Sequence, residues 1–135
     1  MVAMQQRHFT LEQARALLGW LESKFSELGP YQEEIAKHRP RLAELMGKNR
    51  SNGSSHLEGE MHRLAQLVEE LEKSMRDILE QITGKGIIVR GLERGLVDFP
   101  SLRKGREIHL CWLRGEPDIR FWHDTDTGFP SRQPL

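Results

Sequence analysis

Between Leu57 and Ile82 the apolar residues recur at intervals of seven in two interleaved phases. Leu57, Leu64, Leu71 and Ile78 form one, and Met61, Val68, Met75 and Ile82 form the other. Heptads sustained without a polar interruption call for an α-helix that packs a narrow seam against another helix. Ser55 with Glu58 fits a capping box at the start, each side chain satisfying a free backbone N–H of the first turn. Gly84 and Gly86 mark the end.

The matching seam lies upstream. Leu11, Leu18 and Phe25 are seven apart, as are Ala14, Leu21, Leu28, Ile35 and Leu42. Thr10 with Gln13 forms another capping box, and Phe9 before the cap can pack on Ala14. Pro30 and Pro40 each lack an N–H and clash with the preceding turn. The heptad phase nevertheless runs through both, which predicts one long bent helix, or two collinear pieces, rather than a reversal. The clearest loop is the Gly-, Ser- and Asn-rich stretch 47–55. Two heptad helices joined by a short polar loop make an antiparallel, coiled-coil-like hairpin over residues 9–84. With the turn near Ser51, the second helix stops opposite Leu18. Leu11, Ala14 and Leu17 then overhang and need another partner.

Residues 85–135 read as a small antiparallel β subdomain with an irregular tail. Gly86–Arg90 and Leu96–Pro100 are two candidate strands, the second ended by its proline. Ile108–Leu113 and Asp118–His123 flank Arg114-Gly-Glu-Pro117, a turn by composition, and are expected to pair as a hairpin. A four-residue loop puts Leu113 opposite Asp118. Ile108, Leu110, Trp112, Ile119, Phe121 and His123 then share an apolar face, while Glu107, His109, Cys111, Leu113, Asp118, Arg120 and Trp122 take the other. A slip of one residue would mix the two sets. The expected fold is α+β, mainly helical, in a single domain of residues 1–135.

The 135 residues carry 20 Lys+Arg against 20 Asp+Glu. That balance argues against a dedicated nucleic-acid or acidic-lipid binder. The basic run Arg103-Lys104-Gly-Arg106 sits in a half with nine Lys/Arg and seven Asp/Glu, too thin an excess for phosphate-backbone binding. Met1–His8 shows no signal peptide, and no apolar run is long enough to span a membrane, so a cytoplasmic location is expected. The single cysteine excludes an intramolecular disulfide. A lone hairpin exposes Leu17, Trp20 and Leu67, and pairing two hairpins into a four-helix bundle is the usual remedy, so a homodimer is expected.

Several polar residues could carry chemistry. His109 and Cys111 leave the same strand face, as metal ligands must, but two ligands make no site. A thiol packed under Trp122, with His109 solvated, is the plainer alternative. His123 precedes Asp124 and Asp126 and could act as a base or ligand, or simply bond the tail. Asp98 lies between Val97 and Phe99 in an apolar strand, where it must face solvent or be paired; Arg106, Arg120 and Arg132 are candidate partners. Arg132 suggests a tail docked onto a carboxylate, and Glu116 reads as an exposed turn residue. No phosphate-binding glycine loop or nucleophile elbow is present, and no catalytic residue is assigned.

Phe9-Thr-Leu-Glu-Gln-Ala14, Gly95-Leu-Val-Asp-Phe-Pro100, Leu110-Cys-Trp112 with Gly115-Glu116, Trp122-His123, and Gly128 through Arg132-Gln-Pro134 occur in order over nearly the whole chain. In these the sequence resembles the family catalogued as domain of unknown function 2203. The resemblance implies a small bacterial cytoplasmic protein with a helical hairpin and a compact C-terminal part, and it implies no activity. Asp98, Cys111, Trp112, Glu116, Trp122, His123 and Arg132 fall on its motifs, whereas His109 lies outside them.

The expectation that follows is a non-enzymatic, dimeric interaction or scaffold module with an unidentified protein partner. Its binding surface would comprise Asp98, Trp112, Glu116, Trp122, His123 and Arg132, because Trp and Arg dominate binding hot spots. The alternative is a protein that binds a divalent metal or small molecule through Cys111, Glu116, His123 and Asp98. In the four-residue-loop register Cys111 and His123 point to opposite faces, which a bulge would have to repair.

Overall fold

The protein's structure, a computed structural model, describes residues 7–52 and 55–135. The reading of Met1–His8 as lacking a leader falls mostly outside the described residues. The chain is α+β: among the described residues three helices, α1 (Leu11–Ala16), α2 (Leu18–Asn52) and α3 (Ser55–Thr83), precede five strands. These are β1 (Ile88–Gly91), β2 (Leu96–Arg103), β3 (Arg106–Leu113), β4 (Phe121–Asp124) and β5 (Gln133–Pro134), with a short 3-10 turn at Phe129–Ser131. No helix among the described residues is long and apolar enough to cross a membrane.

The start of α1 follows its sequence. The Thr10 hydroxyl accepts from the Gln13 N–H while the Gln13 side chain accepts from the Thr10 N–H. Leu17 interrupts the helix for one residue before α2 begins. Both prolines then lie inside a single α2. They sit on its exposed side, where a carbonyl left without a donor is open to water. Helix persists to Asn52, so the connection to α3 is shorter than the 47–55 loop; residues 53 and 54 lie outside the described residues. Ser55 is the first residue of α3 rather than its cap.

The chain divides into two compact units that do not follow the helix–strand boundary at residue 85. One is Ser26–Leu79, and the other combines the chain up to Phe25 with everything from Glu80 onward. In the two-helix unit Leu28, Ile35, Leu45, Val68 and Ile78 are buried. Beyond Pro40 the seam steps from Leu42, half-buried, to Leu45. Arg39 pairs with Glu72, and Arg41 reaches Glu60 with two hydrogen bonds of 2.8 and 3.1 Å. These exposed pairs align the helices more than they stabilise them.

In the sheet unit the five strands form an antiparallel meander in chain order. β2 and β3 are joined by a two-residue turn, Lys104 (φ 52°) and Gly105 (φ 77°). Two positive φ values give the twist of a tight hairpin, so the basic run is a turn and not a loop. β2 continues past Pro100 to Arg103 because Pro100 contributes its carbonyl: the Phe9 N–H donates to it at 2.7 Å. The Phe9 ring meets Phe99 edge to face at 5.3 Å. Val97, Phe99, Ile108, Leu110 and Trp112 fill one sheet face, and Ala14, Leu21, Phe25 and Ile82 are buried in the same unit. The overhanging Ala14 is therefore covered.

The β3–β4 pairing departs from expectation by one residue. Cys111 pairs with Phe121 and His109 with His123. The connection is not a four-residue loop but residues 114–120. Its geometry comes from side chains: Glu116 Oε1 accepts from the Leu113 N–H at 2.8 Å, and Asp118 Oδ1 accepts from the Ile119 N–H at 2.7 Å. Asp118 and Ile119 are thereby held outside the ladder. The odd shift in pairing moves every β4 side chain to the other face. His123 and Phe121 join Cys111 and His109, and Trp122 joins the apolar face.

Candidate ligand-binding site on the sheet

The face opposite the apolar one holds four buried polar groups, Asp98, His109, Cys111 and His123. The register places them there: Asp98 is paired with Cys111 and His109 with His123, and cross-strand partners share a face. Arg90 joins them through a bulge in β1. Val89 pairs with Val97 but Gly91 with Leu96, leaving Arg90 as the extra residue. Its Nε donates to Asp98 Oδ2 at 2.9 Å. The Asp98 partner is thus Arg90, and not Arg106, Arg120 or Arg132. Arg106 instead pairs with Asp124, and Arg132 with Glu116.

Asp98, 1% exposed, is the hub. Its Oδ1 lies 3.0 Å from His123 Nε2, and the Cys111 Sγ lies within 4.8 Å of the carboxylate. The His123 Nδ1 lies 2.7 Å from the Asp124 carbonyl oxygen, which can only accept, so Nδ1 carries a hydrogen. A neutral ring then offers Nε2 as a lone pair facing a carboxylate oxygen. Two acceptors at that distance attract only with a proton or a cation between them. His109 Nδ1 approaches Asp98 Oδ2 no closer than 3.5 Å and is buried without a hydrogen-bond partner.

Burial sets the charge states of two neighbours. It holds His109 below the ordinary imidazole value, against the pull of Asp98, with His123 and Arg90 adding to the depression. It also pushes the Cys111 thiol up to about 12, helped by the negative Asp98. Cys111 is therefore a protonated, sealed thiol and a poor nucleophile. It lies on the face opposite Trp122, and His109 is 4% exposed, so neither half of the plainer sequence alternative holds.

The tail folds back over this face. Arg132 makes a forked pair with Glu116 at 2.6 and 2.9 Å. Its guanidinium lies over Phe121 at 4.1 Å and Phe129 at 4.6 Å. Glu116 is thus a docking residue rather than a free turn carboxylate, as the carboxylate expected for Arg132. Between the tail and the sheet lies an open cleft of about 450 Å³, with Arg90, Asp98, His123, Asp126 and Phe129 among its lining residues.

The residues expected to form one binding surface are divided. Asp98 and His123 meet on the cleft face. Trp112 and Trp122 belong to the other face, 3% and 7% exposed, with Arg103 and Arg106 stacked over Trp122. Glu116 and Arg132 pair with each other at the tail. Of the four residues in the metal alternative, the fold brings together Asp98, Cys111 and His123 with ligand atoms all within 4.8 Å, without Glu116. Sequence reasoning missed Arg90. A Gly-flanked short strand was visible, but no pattern marks which residue a bulge leaves over.

Residues 7–135 match the family described as Uncharacterized conserved protein (DUF2203), and the chain belongs to that family. No curated protein and no solved structure matches it.

Proposed function

We propose that this member of a family without an assigned activity is a non-enzymatic interaction module that works as a homodimer. The supporting observation is the seam of α3. Of its eight heptad residues, Val68, Ile78 and Ile82 are buried, while Leu57, Met61, Leu64, Leu71 and Met75 are only half-buried. Leu67 beside them is 37% exposed. A second hairpin would cover this apolar surface at about 25 cal/mol per Å². Light scattering on the untagged protein tests the reading. It should give twice the chain mass at micromolar concentration, and Leu64→Glu should give the monomer with its helical signal retained. A wild-type monomer at high concentration removes the reading.

A second reading, a small-molecule-binding protein, is favoured by the cleft above Asp98 and His123. Pockets of this size with a few convergent polar groups suit small ligands. Native mass spectrometry of the freshly purified protein tests it. A retained adduct lost in Asp98→Ala supports binding there, and bare protein mass counts against it.

A further inference from the structure

We propose that Asp98, Cys111 and His123 form a site for a thiophilic divalent cation of the Zn²⁺ class. The proposal goes beyond the dimeric module and does not depend on it. Three observations carry it.

The first is the donor set. A carboxylate, a thiol and an imidazole from β2, β3 and β4 converge with their ligand atoms within 4.8 Å, all three buried. Thiolate with imidazole suits Zn²⁺ and Co²⁺ over the hard cations, which prefer all-oxygen shells. The second is orientation. The His123 Nδ1–H is anchored on the Asp124 carbonyl, which directs the Nε2 lone pair inward. Metal-bound histidines are held in this way, with the far nitrogen donating to a carbonyl or carboxylate. Asp98 is similarly steadied, Arg90 binding Oδ2 while Oδ1 faces His123. The third is the approach of two acceptors, Nε2 and Oδ1, at 3.0 Å, which a cation satisfies as well as a proton does.

Uptake would replace protons with metal. The cation replaces the proton shared by His123 and Asp98, lying off the line between Nε2 and Oδ1, and displaces the thiol proton of Cys111; both protons leave to solvent. Asp98 and His123 line the cleft, which gives the ion a way in. Buried His109, its Nδ1 3.5 Å from Asp98 Oδ2 and without a hydrogen-bond partner, adds an unsatisfied polar atom beside the site.

The test is titration of chelator-treated full-length protein with Co²⁺ alone. One equivalent should bind, with the intense near-ultraviolet band of a thiolate–cobalt bond, and one equivalent of Zn²⁺ should abolish that band. Cys111→Ser should remove the band and weaken Zn²⁺ binding at least tenfold while circular dichroism stays unchanged. Glu93→Gln, at an exposed carboxylate in the turn before β2, should bind as wild type. Absence of uptake by folded wild type at tenfold excess metal overturns the proposal without any variant. So does uptake that keeps its affinity in Cys111→Ser. Because the readout is spectral, loss of this site leaves the dimer measurement intact.

Discussion

Replacing Asp98 probes the network most directly, and the choice of replacement separates two accounts of it. In chelator, Asp98→Ala removes the acceptor for Arg90 and the partner of His123 Nε2. Arg90 has a side chain 44% exposed and turns to water, so its loss costs at most about 1 kcal/mol. His123 is 1% exposed and keeps a buried, unsatisfied nitrogen, which costs about 1–3 kcal/mol. The expected destabilisation is about 3 kcal/mol, a drop of roughly 10 °C in melting temperature for a domain of this size. Asp98→Asn behaves differently. Its oxygen still accepts from Arg90, and its amide donates to the Nε2 lone pair, so the expected cost is about 1 kcal/mol. Urea unfolding followed by tryptophan fluorescence measures both, since Trp20, Trp112 and Trp122 all belong to the sheet unit. An Ala variant within about 1 kcal/mol of wild type would refute the claim that the network holds this face. An Asn variant as unstable as Ala would refute the shared-proton account of the His123–Asp98 contact.

Cys111 should resist iodoacetamide at pH 8 in the folded protein and react fully in urea, as read by intact mass; rapid native labelling would contradict a sealed thiol held near 12. Arg132→Ala should expose the tail beyond Asp124 to limited proteolysis and cost about 2 kcal/mol, through the lost Glu116 fork and two aromatic stacks. A proteolysis pattern like that of wild type would show that the tail docks by other means. The Arg15 guanidinium, and then the Ile119 N–H, hold the Asp118 carboxyl below its ordinary value. Such a depressed acid stabilises the fold above its unfolded value, and the contribution fades as pH falls through the lower, folded one. In Arg15→Gln the Asp118 titration should move upward by carboxyl NMR, and an unmoved curve would sink the assignment.

Much of the helical half was legible because helix periodicity is local. Thr10 and Gln13 cap α1 as their spacing says, and Ala14, Leu21, Leu28 and Ile35 are buried in the phase they announce. That α2 does not reverse at Pro30 or Pro40 was readable too, from a heptad phase that runs past both in sequence, although the buried seam steps to Leu45 beyond Pro40. The C-terminal strands were visible as segments, but their pairing was not. Strand register is set by the geometry of the connection, and this connection is shaped by Glu116 and Asp118, whose side chains bond backbone N–H groups of their own turn. Composition marks such residues as turn formers without stating how many positions they take up.

That single unit of length decides the site. Residue types and spacings alone mark which positions are apolar, where α1 starts, and that Asp98, Cys111 and His123 are unusual company for buried strands. That they meet follows from how the strands pair. The connection over residues 114–120 shifts β4 by one position, and a strand's side chains alternate with period two, so His123 turns from the apolar face to that of Cys111. The β1 bulge decides in the same way that Arg90 is the cation beside Asp98. Both are counting effects in the backbone. They carry no signature in residue type, because the same side chains fit either face until the hydrogen-bonded ladder assigns one.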